Sequence, residues 1–260
     1  MARSAILSAM DLVERKDTSS KRHPWEVARA EFFLRLLAED GILETARAWL
    51  DVGSGDAWLA GQLLRLLPPA STVTCWDVNY ALEDLASVNS SEGITLVADR
   101  PEVRFDRILM LDVIEHVEDD AGFIASTVGD LLAGGGIVLV SVPAYQGLFS
   151  SHDVELRHCR RYSPAGCRRL LERSGLDVLR DGGLFLSLLP IRAGQMLLER
   201  VRPLKSLSGG IGGWQGGTVA TLALTRALVA DGELSLRLNR QGLSLPGLSY
   251  WALCRSRRPG

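Results

Sequence analysis

Asp51-Val52-Gly53-Ser54-Gly55-Asp56-Ala57-Trp58 is the first stretch whose residue types and spacing could hold a ligand. Glycines behind an apolar segment let a backbone turn approach a ligand at the carboxyl end of a strand, where open α/β sheets bind. A turn for a dinucleotide pyrophosphate would want a third glycine where Trp58 stands. Asp56 would also set a carboxylate at the helix N-terminus where the phosphates belong. Asp77 follows the next apolar segment, 22 residues after Gly55, suited to accept hydrogen bonds from two ribose hydroxyls. Asp99, after the third segment, could receive an adenine amino group.

These features suit an adenosine compound without phosphates, and S-adenosylmethionine, with its cationic ammonium and sulfonium, is one. A second group of residues lies downstream. His152 next to Asp153 is a candidate general base, the acid orienting or charging the imidazole, and His158 is the second candidate. The competing reading is that both rings satisfy loop backbone groups. Tyr145 could offer its hydroxyl to an acceptor. Arg157, Arg160 and Arg161 could grip an anionic group by forked hydrogen bonds, or pair with Asp153, Glu155 or Glu172. No zinc spacing occurs.

The elements that must position these residues alternate. Strands are expected at Ala48–Val52, Ser71–Trp76, Ile94–Ala98, Arg107–Leu111, Ile137–Val142, Leu176–Arg180 and Ser249–Cys254. Helices are expected from Pro24, over Ala57–Leu67 and Tyr80–Val88, after the fourth strand to about Leu132, and from Ser163 as N-cap to Gly175. Gly134-Gly135-Gly136 is read as the stop of the fourth-strand helix. The pattern predicts an α/β, Rossmann-like, seven-stranded, mostly parallel sheet with helices on both faces. Its parts are a helical cap (1–45), the cofactor-binding core (46–180), a helical insert covering the substrate (181–248) and a last strand with tail (249–260). Residues 1–22 suggest a short helix and a loose segment. Six glycines from Gly209 to Gly217 suggest a mobile loop.

Composition narrows the function. The 260 residues are 47% hydrophobic and carry a net charge of −2, which excludes a disordered chain and argues against nucleic-acid binding. Four scattered cysteines without a C-x-x-C pair suit a cytoplasmic protein. The longest apolar run, Leu184 to Leu198, is broken by Pro190 and Arg192 and falls short of a membrane span. Its apolar segments could line a pocket for a greasy acceptor, touch a membrane surface or form core.

Residues 24–180 and 249–255 resemble the class I S-adenosylmethionine-dependent methyltransferases. The likeness is carried by Leu50-Asp51-Val52-Gly53-Ser54-Gly55, Cys75-Trp76-Asp77, Leu111-Asp112-Val113-Ile114-Glu115-His116-Val117 and Leu132-Ala133-Gly134-Gly135-Gly136. Ala57 stands at the family's usual third glycine. The resemblance implies that Asp51, Gly53 and Gly55 hold the methionine part, Asp77 the ribose and Asp99 the adenine, with Asp112 beside the cofactor. His23-Pro24-Trp25-Glu26, His152-Asp153 and the His158 to Tyr162 stretch are similar to a subgroup of the family. Asp112, Glu115 and His116 resemble the acid-x-x-Glu-His stretch of ubiquinone-biosynthesis O-methyltransferases, which can hold a divalent cation. With Asp in first place, no metal is expected here. The expected function is methyl transfer to a small or lipid-like acceptor, at oxygen. The rivals are a nicotinamide-dependent oxidoreductase and a non-catalytic cofactor-binding partner subunit.

Overall fold

The computed structural model describes residues 22–45, 47–87, 93–201 and 216–259. The expected helix within 1–22 and most of the glycine-rich loop lie outside them. In chain order the main elements are α1 (Pro24–Glu39), β1 (Ala48–Val52), α2 (Trp58–Leu64), β2 (Thr72–Trp76), α3 (Leu82–Ser87), β3 (Ile94–Val97) and β4 (Phe105–Leu111). Then follow α4 (Asp120–Ser126), β5 (Leu132–Pro143), α5 (Ser151–Glu155), α6 (Pro164–Arg173), β6 (Leu176–Leu184), α7 (Leu188–Val201), α8 (Thr218–Arg240) and β7 (Ser249–Ser256).

The seven strands form one sheet in the order β3-β2-β1-β4-β5-β7-β6, as expected of an α/β Rossmann-like fold. Only β7 runs antiparallel, paired with β5 and β6. The order reverses at β1: the chain leaves β1 for α2 on one face and β4 for α4 on the other, which opens, at the strands' carboxyl ends, the crevice in which such sheets bind ligands. Side chains alternate along each strand. Trp49, Leu109, Leu111 and Trp251 join α1 and α8 in one core, while Leu50, Ile108, Met110 and Tyr250 pack the opposite face. The cap and the insert thus share one layer, with α1 lying on α8.

Local signals explain most boundaries. His23 caps α1 by accepting the Trp25 N–H, and Pro24 supplies the fixed φ of a first helical turn. Ser163 accepts the Gly166 N–H at 3.1 Å and Pro164 follows it. Ser163→Ala should cost about 1 kcal/mol, read as a lower thermal midpoint with unchanged far-ultraviolet dichroism.

The fourth-strand helix is corrected. It is a 3-10 turn at Ile114–His116, then α4, then a π-helical turn ending at Leu131. The three glycines lie inside β5 instead. Gly135 takes φ +66° and donates to the Arg258 carbonyl. A Cβ on Gly136 would stand 2.8 Å from the Ala133 oxygen. The glycines serve a kink of the strand beside the register shift between Phe105 and Arg107. Among the described residues no helix is long and apolar enough to cross a membrane.

Candidate active site

The turn after β1 is built by backbone conformation. Gly53 and Gly55 have φ of +63° and +54°, which glycine enters without the penalty of a Cβ. Ala57 takes φ +57°, so the place of the family's third glycine is left-handed here as well. The Gly53 N–H donates to the Trp76 carbonyl at 2.8 Å. Asp77, buried at the end of β2, accepts the Gly55 N–H at 3.1 Å and the Asn79 N–H at 2.9 Å. It therefore pins the turn to the neighbouring strand. Asp56 pairs with Arg22, whose guanidinium lies 4.4 Å from the Trp58 ring centroid. The N-terminus of α2 is thus covered by α1's flank rather than open to phosphate.

From this turn a cavity of about 440 Å³ opens over the carboxyl ends of β1, β4 and β5. Asp51, Gly53 and Ser54 are among its lining residues. Trp25 and Phe33 of α1, Leu188 of α7 and Leu224 and Leu228 of α8 give it an apolar wall. Asp112 also lines it, with φ +58°, an uncommon conformation for a residue with a Cβ. Two contacts hold it there: the Ser141 hydroxyl donates at 2.8 Å, and Arg29 of α1 forms an ion pair.

Glu115, His116, His152, His158 and Arg161 line the same cavity. The expected pairing of His152 with Asp153 is corrected: the Asp153 carboxylate takes His158 Nδ1 at 2.9 Å and Arg161 Nε at 2.6 Å. It also accepts the Ser150 N–H at 2.9 Å, closing a capping box at the start of α5. Burial alone would raise this carboxyl, but the bonds from His158 and Arg161 outweigh it and hold it far below the ordinary range. His152 is lowered by burial and then by the Arg192 charge, which keeps its ring neutral. Burial and the neighbouring His158 push His116 down to about 3. Glu115, with 0% exposure, is raised well above the usual range by burial and then by Asp112.

Other expected site residues sit elsewhere. Asp99 is exposed on a bend past β3, outside the cavity lining. Tyr145, half-buried, lines a separate smaller cavity with Asp181 and Tyr250. Arg157 is exposed and turns the chain with φ +58°. Of the proposed substrate contacts only Arg161 reaches the main cavity, and its Nε is committed to Asp153. Arg29, Glu115, Ser141 and Arg192 enter the site without having been assigned a part there. Arg192 had a visible signal, a charge inside an apolar run.

The family model described as a methyltransferase domain matches residues 23–181. A proposed sarcosine dimethylglycine methyltransferase from Galdieria sulphuraria is similar over 88% of this chain and 85% of its own, at 17% identity and TM-score 0.54. A cyclase of the four-plus-two type, SpnF, is similar over 88% and 82%, at 18% identity and TM-score 0.53. The plantazolicin methyltransferase BpumL, solved with a monoazolic desmethylPZN analog and SAH, is similar over 90% and 85%, at 14% identity and TM-score 0.50. At these identities the likeness to solved structures shows the fold alone. No curated protein gives a significant match. With more than half of its length matched by the family model and the sheet order in place, the chain belongs to the methyltransferase-domain family, in its class I, S-adenosylmethionine-dependent form.

Proposed function

We propose that the chain transfers the methyl group of S-adenosylmethionine to an oxygen of a small, lipid-like acceptor, with His152 taking the acceptor's proton. The observation that carries this reading is one cavity lined by the glycine turn, by a histidine whose pKa is lowered and by an apolar wall.

The cofactor's methionine part would lie along Asp51, Gly53 and Gly55, with Asp112 beside it. Asp77 would hold the ribose: a carboxylate has about four acceptor positions, so the bonds to Gly55 and Asn79 leave room for hydroxyls. Transfer is an in-line displacement. The acceptor oxygen forms a bond to the methyl carbon as the carbon–sulfur bond breaks, its electron pair going to sulfur, and the acceptor's proton passes to His152. Most of the help a protein can give such a step is alignment. Leu188, Leu224 and Leu228 would seat an apolar acceptor body and exclude water. His158, whose Nδ1 is held by Asp153 and whose ring packs edge-on against His116 with centroids 4.6 Å apart, keeps its Nε2 as the alternative proton acceptor.

The test is turnover with labelled S-adenosylmethionine on a panel of phenols, long-chain alcohols, carboxylates and amines. Label should appear in an ether or ester of an apolar acceptor, with an equal amount of S-adenosylhomocysteine. Label appearing only on nitrogen or carbon would overturn the oxygen assignment.

A further inference from the structure

We propose that the acceptor is a hydroxy acid whose carboxylate is held by Arg192 of α7 and by Arg161, beside the hydroxyl that gives its proton to His152. The proposal deepens the methyl-transfer reading and rests on it. Both arginines line the main cavity, and they come from distant parts of the chain, the insert and the loop before α6. A carboxylate matches the planar fork of a guanidinium, which grips it by charge-assisted hydrogen bonds. Arg157 and Arg160 take no part: neither lines the cavity, and Arg160 pairs with Asp120 at 2.9 Å.

Arg161 is only 8% exposed. Its Nε donates to Asp153 at 2.6 Å and its Nη1 reaches the Ala144 carbonyl at 3.4 Å, while its Nη2 meets no partner among the described residues. A buried guanidinium donor left in this way calls for an acceptor. Arg192 approaches the same carboxylate, with Nη2 3.9 Å from Asp153 Oδ2, and donates to the Ser150 hydroxyl. Two guanidinium groups thus converge on one carboxylate that His158 and Ser150 also bond. A ligand carboxylate placed between them meets both. Glu115 and Asp112, which line the same cavity, do little to repel it: burial favours the neutral form of the first, and Arg29 pairs with the second.

The placement of the hydroxyl follows from Ser150. Its oxygen accepts both the Arg192 guanidinium and the His152 N–H, the latter at 3.3 Å. The Arg192 charge is also felt at the His152 ring. The anchored carboxylate therefore lies within a few bonds of the hydroxyl, as in a 3-hydroxy acid. The rest of the acceptor is apolar. Leu188 and Arg192, four residues apart on α7, share a helix face, and both line the cavity. One face of α7 thus sets an apolar contact next to a charge, which suits an amphipathic acid and accounts for an arginine inside the apolar run from Leu184 to Leu198. In the transfer the methyl goes to the hydroxyl oxygen, the hydroxyl proton to His152 and the electron pair to sulfur. The carboxylate stays an anion and is an anchor, not the nucleophile.

The test compares 3-hydroxydecanoate and 3-hydroxybenzoate, each with its amide, as acceptors of labelled methyl from S-adenosylmethionine. It is run on the full chain at pH 8, above the titration of His152 in parent and variants alike. The parent should prefer each acid at least about tenfold in kcat/KM and label the hydroxyl as an ether. Arg192→Gln should cost the acids about 10- to 100-fold, chiefly through KM, and the amides less than about threefold. Arg192→Lys keeps the charge without the fork and should recover part of the loss. Equal or better use of the amides by the parent, an equal loss of acid and amide in Arg192→Gln, or label on the carboxylate as an ester overturns the proposal and leaves methyl transfer standing. If no acceptor at all is labelled, the methyl-transfer reading sinks, and calorimetry with 3-hydroxydecanoate decides the arginine site. Binding that Arg192→Gln loses and the amide does not show keeps the site; no binding removes it.

Discussion

Replacing His152 with alanine should lower kcat by about 100- to 10,000-fold, the range for removing a positioned proton acceptor, while S-adenosylhomocysteine binds as before. His152 is half-buried, lines the cavity and is no part of the glycine turn, so the loss should fall on the chemical step. The pH profile gives a second readout. The neutral ring is the active form, and burial with the Arg192 charge lowers its pKa. The acid limb of kcat/KM should therefore have its midpoint below the ordinary histidine value of about 6.5. Arg192→Gln removes one of the causes of the lowering and should move that midpoint upward. Full turnover by His152→Ala between pH 6 and 9 would show that another group, or none, takes the proton.

Asp153→Ala should destabilise the fold by about 3–5 kcal/mol, because it leaves the Arg161 charge buried without its partner and His158 without its anchor. For a chain of this size that is a fall of roughly 6–20 °C in Tm. The folded pKa of Asp153 is depressed, so its contribution is fully present above the unfolded value of about 3.9 and is lost as pH falls toward the folded one. The gap between parent and variant should be complete at pH 7 and narrow below about pH 4. A gap under 1 kcal/mol at pH 7, or one that does not change down to pH 3, would mean that the carboxylate holds nothing together.

The fold was legible because each strand has a clear edge. Gly53 and Gly55 stop β1, Pro68-Pro69 follows α2, and Ser163-Pro164 opens α6. The triple glycine misled because the same residues that end a helix also permit a kink in a strand. The choice was made by pairing with Phe105 and Arg107, some thirty positions away. The cofactor end was readable as a motif, since its contacts come from backbone turns of consecutive residues. The acceptor end was not, since its contacts are distant. Arg29 meets Asp112 across 83 positions. His158 takes Asp153 from His152 only because the chain reverses at Arg157 with φ +58°. An i, i+5 pairing of that kind follows neither helical nor strand periodicity.

The central claim is that the turn at Gly53 and Gly55 holds a phosphate-free adenosine cofactor. Calorimetry of the full chain with S-adenosylhomocysteine and, in parallel, with NAD tests it most directly. The account predicts one equivalent of S-adenosylhomocysteine bound, no heat with NAD, and loss of the binding in Gly53→Val, where a β-branched side chain would have to take φ +63° at the cavity wall. Binding of NAD without S-adenosylhomocysteine, or S-adenosylhomocysteine bound equally well by Gly53→Val, would contradict it.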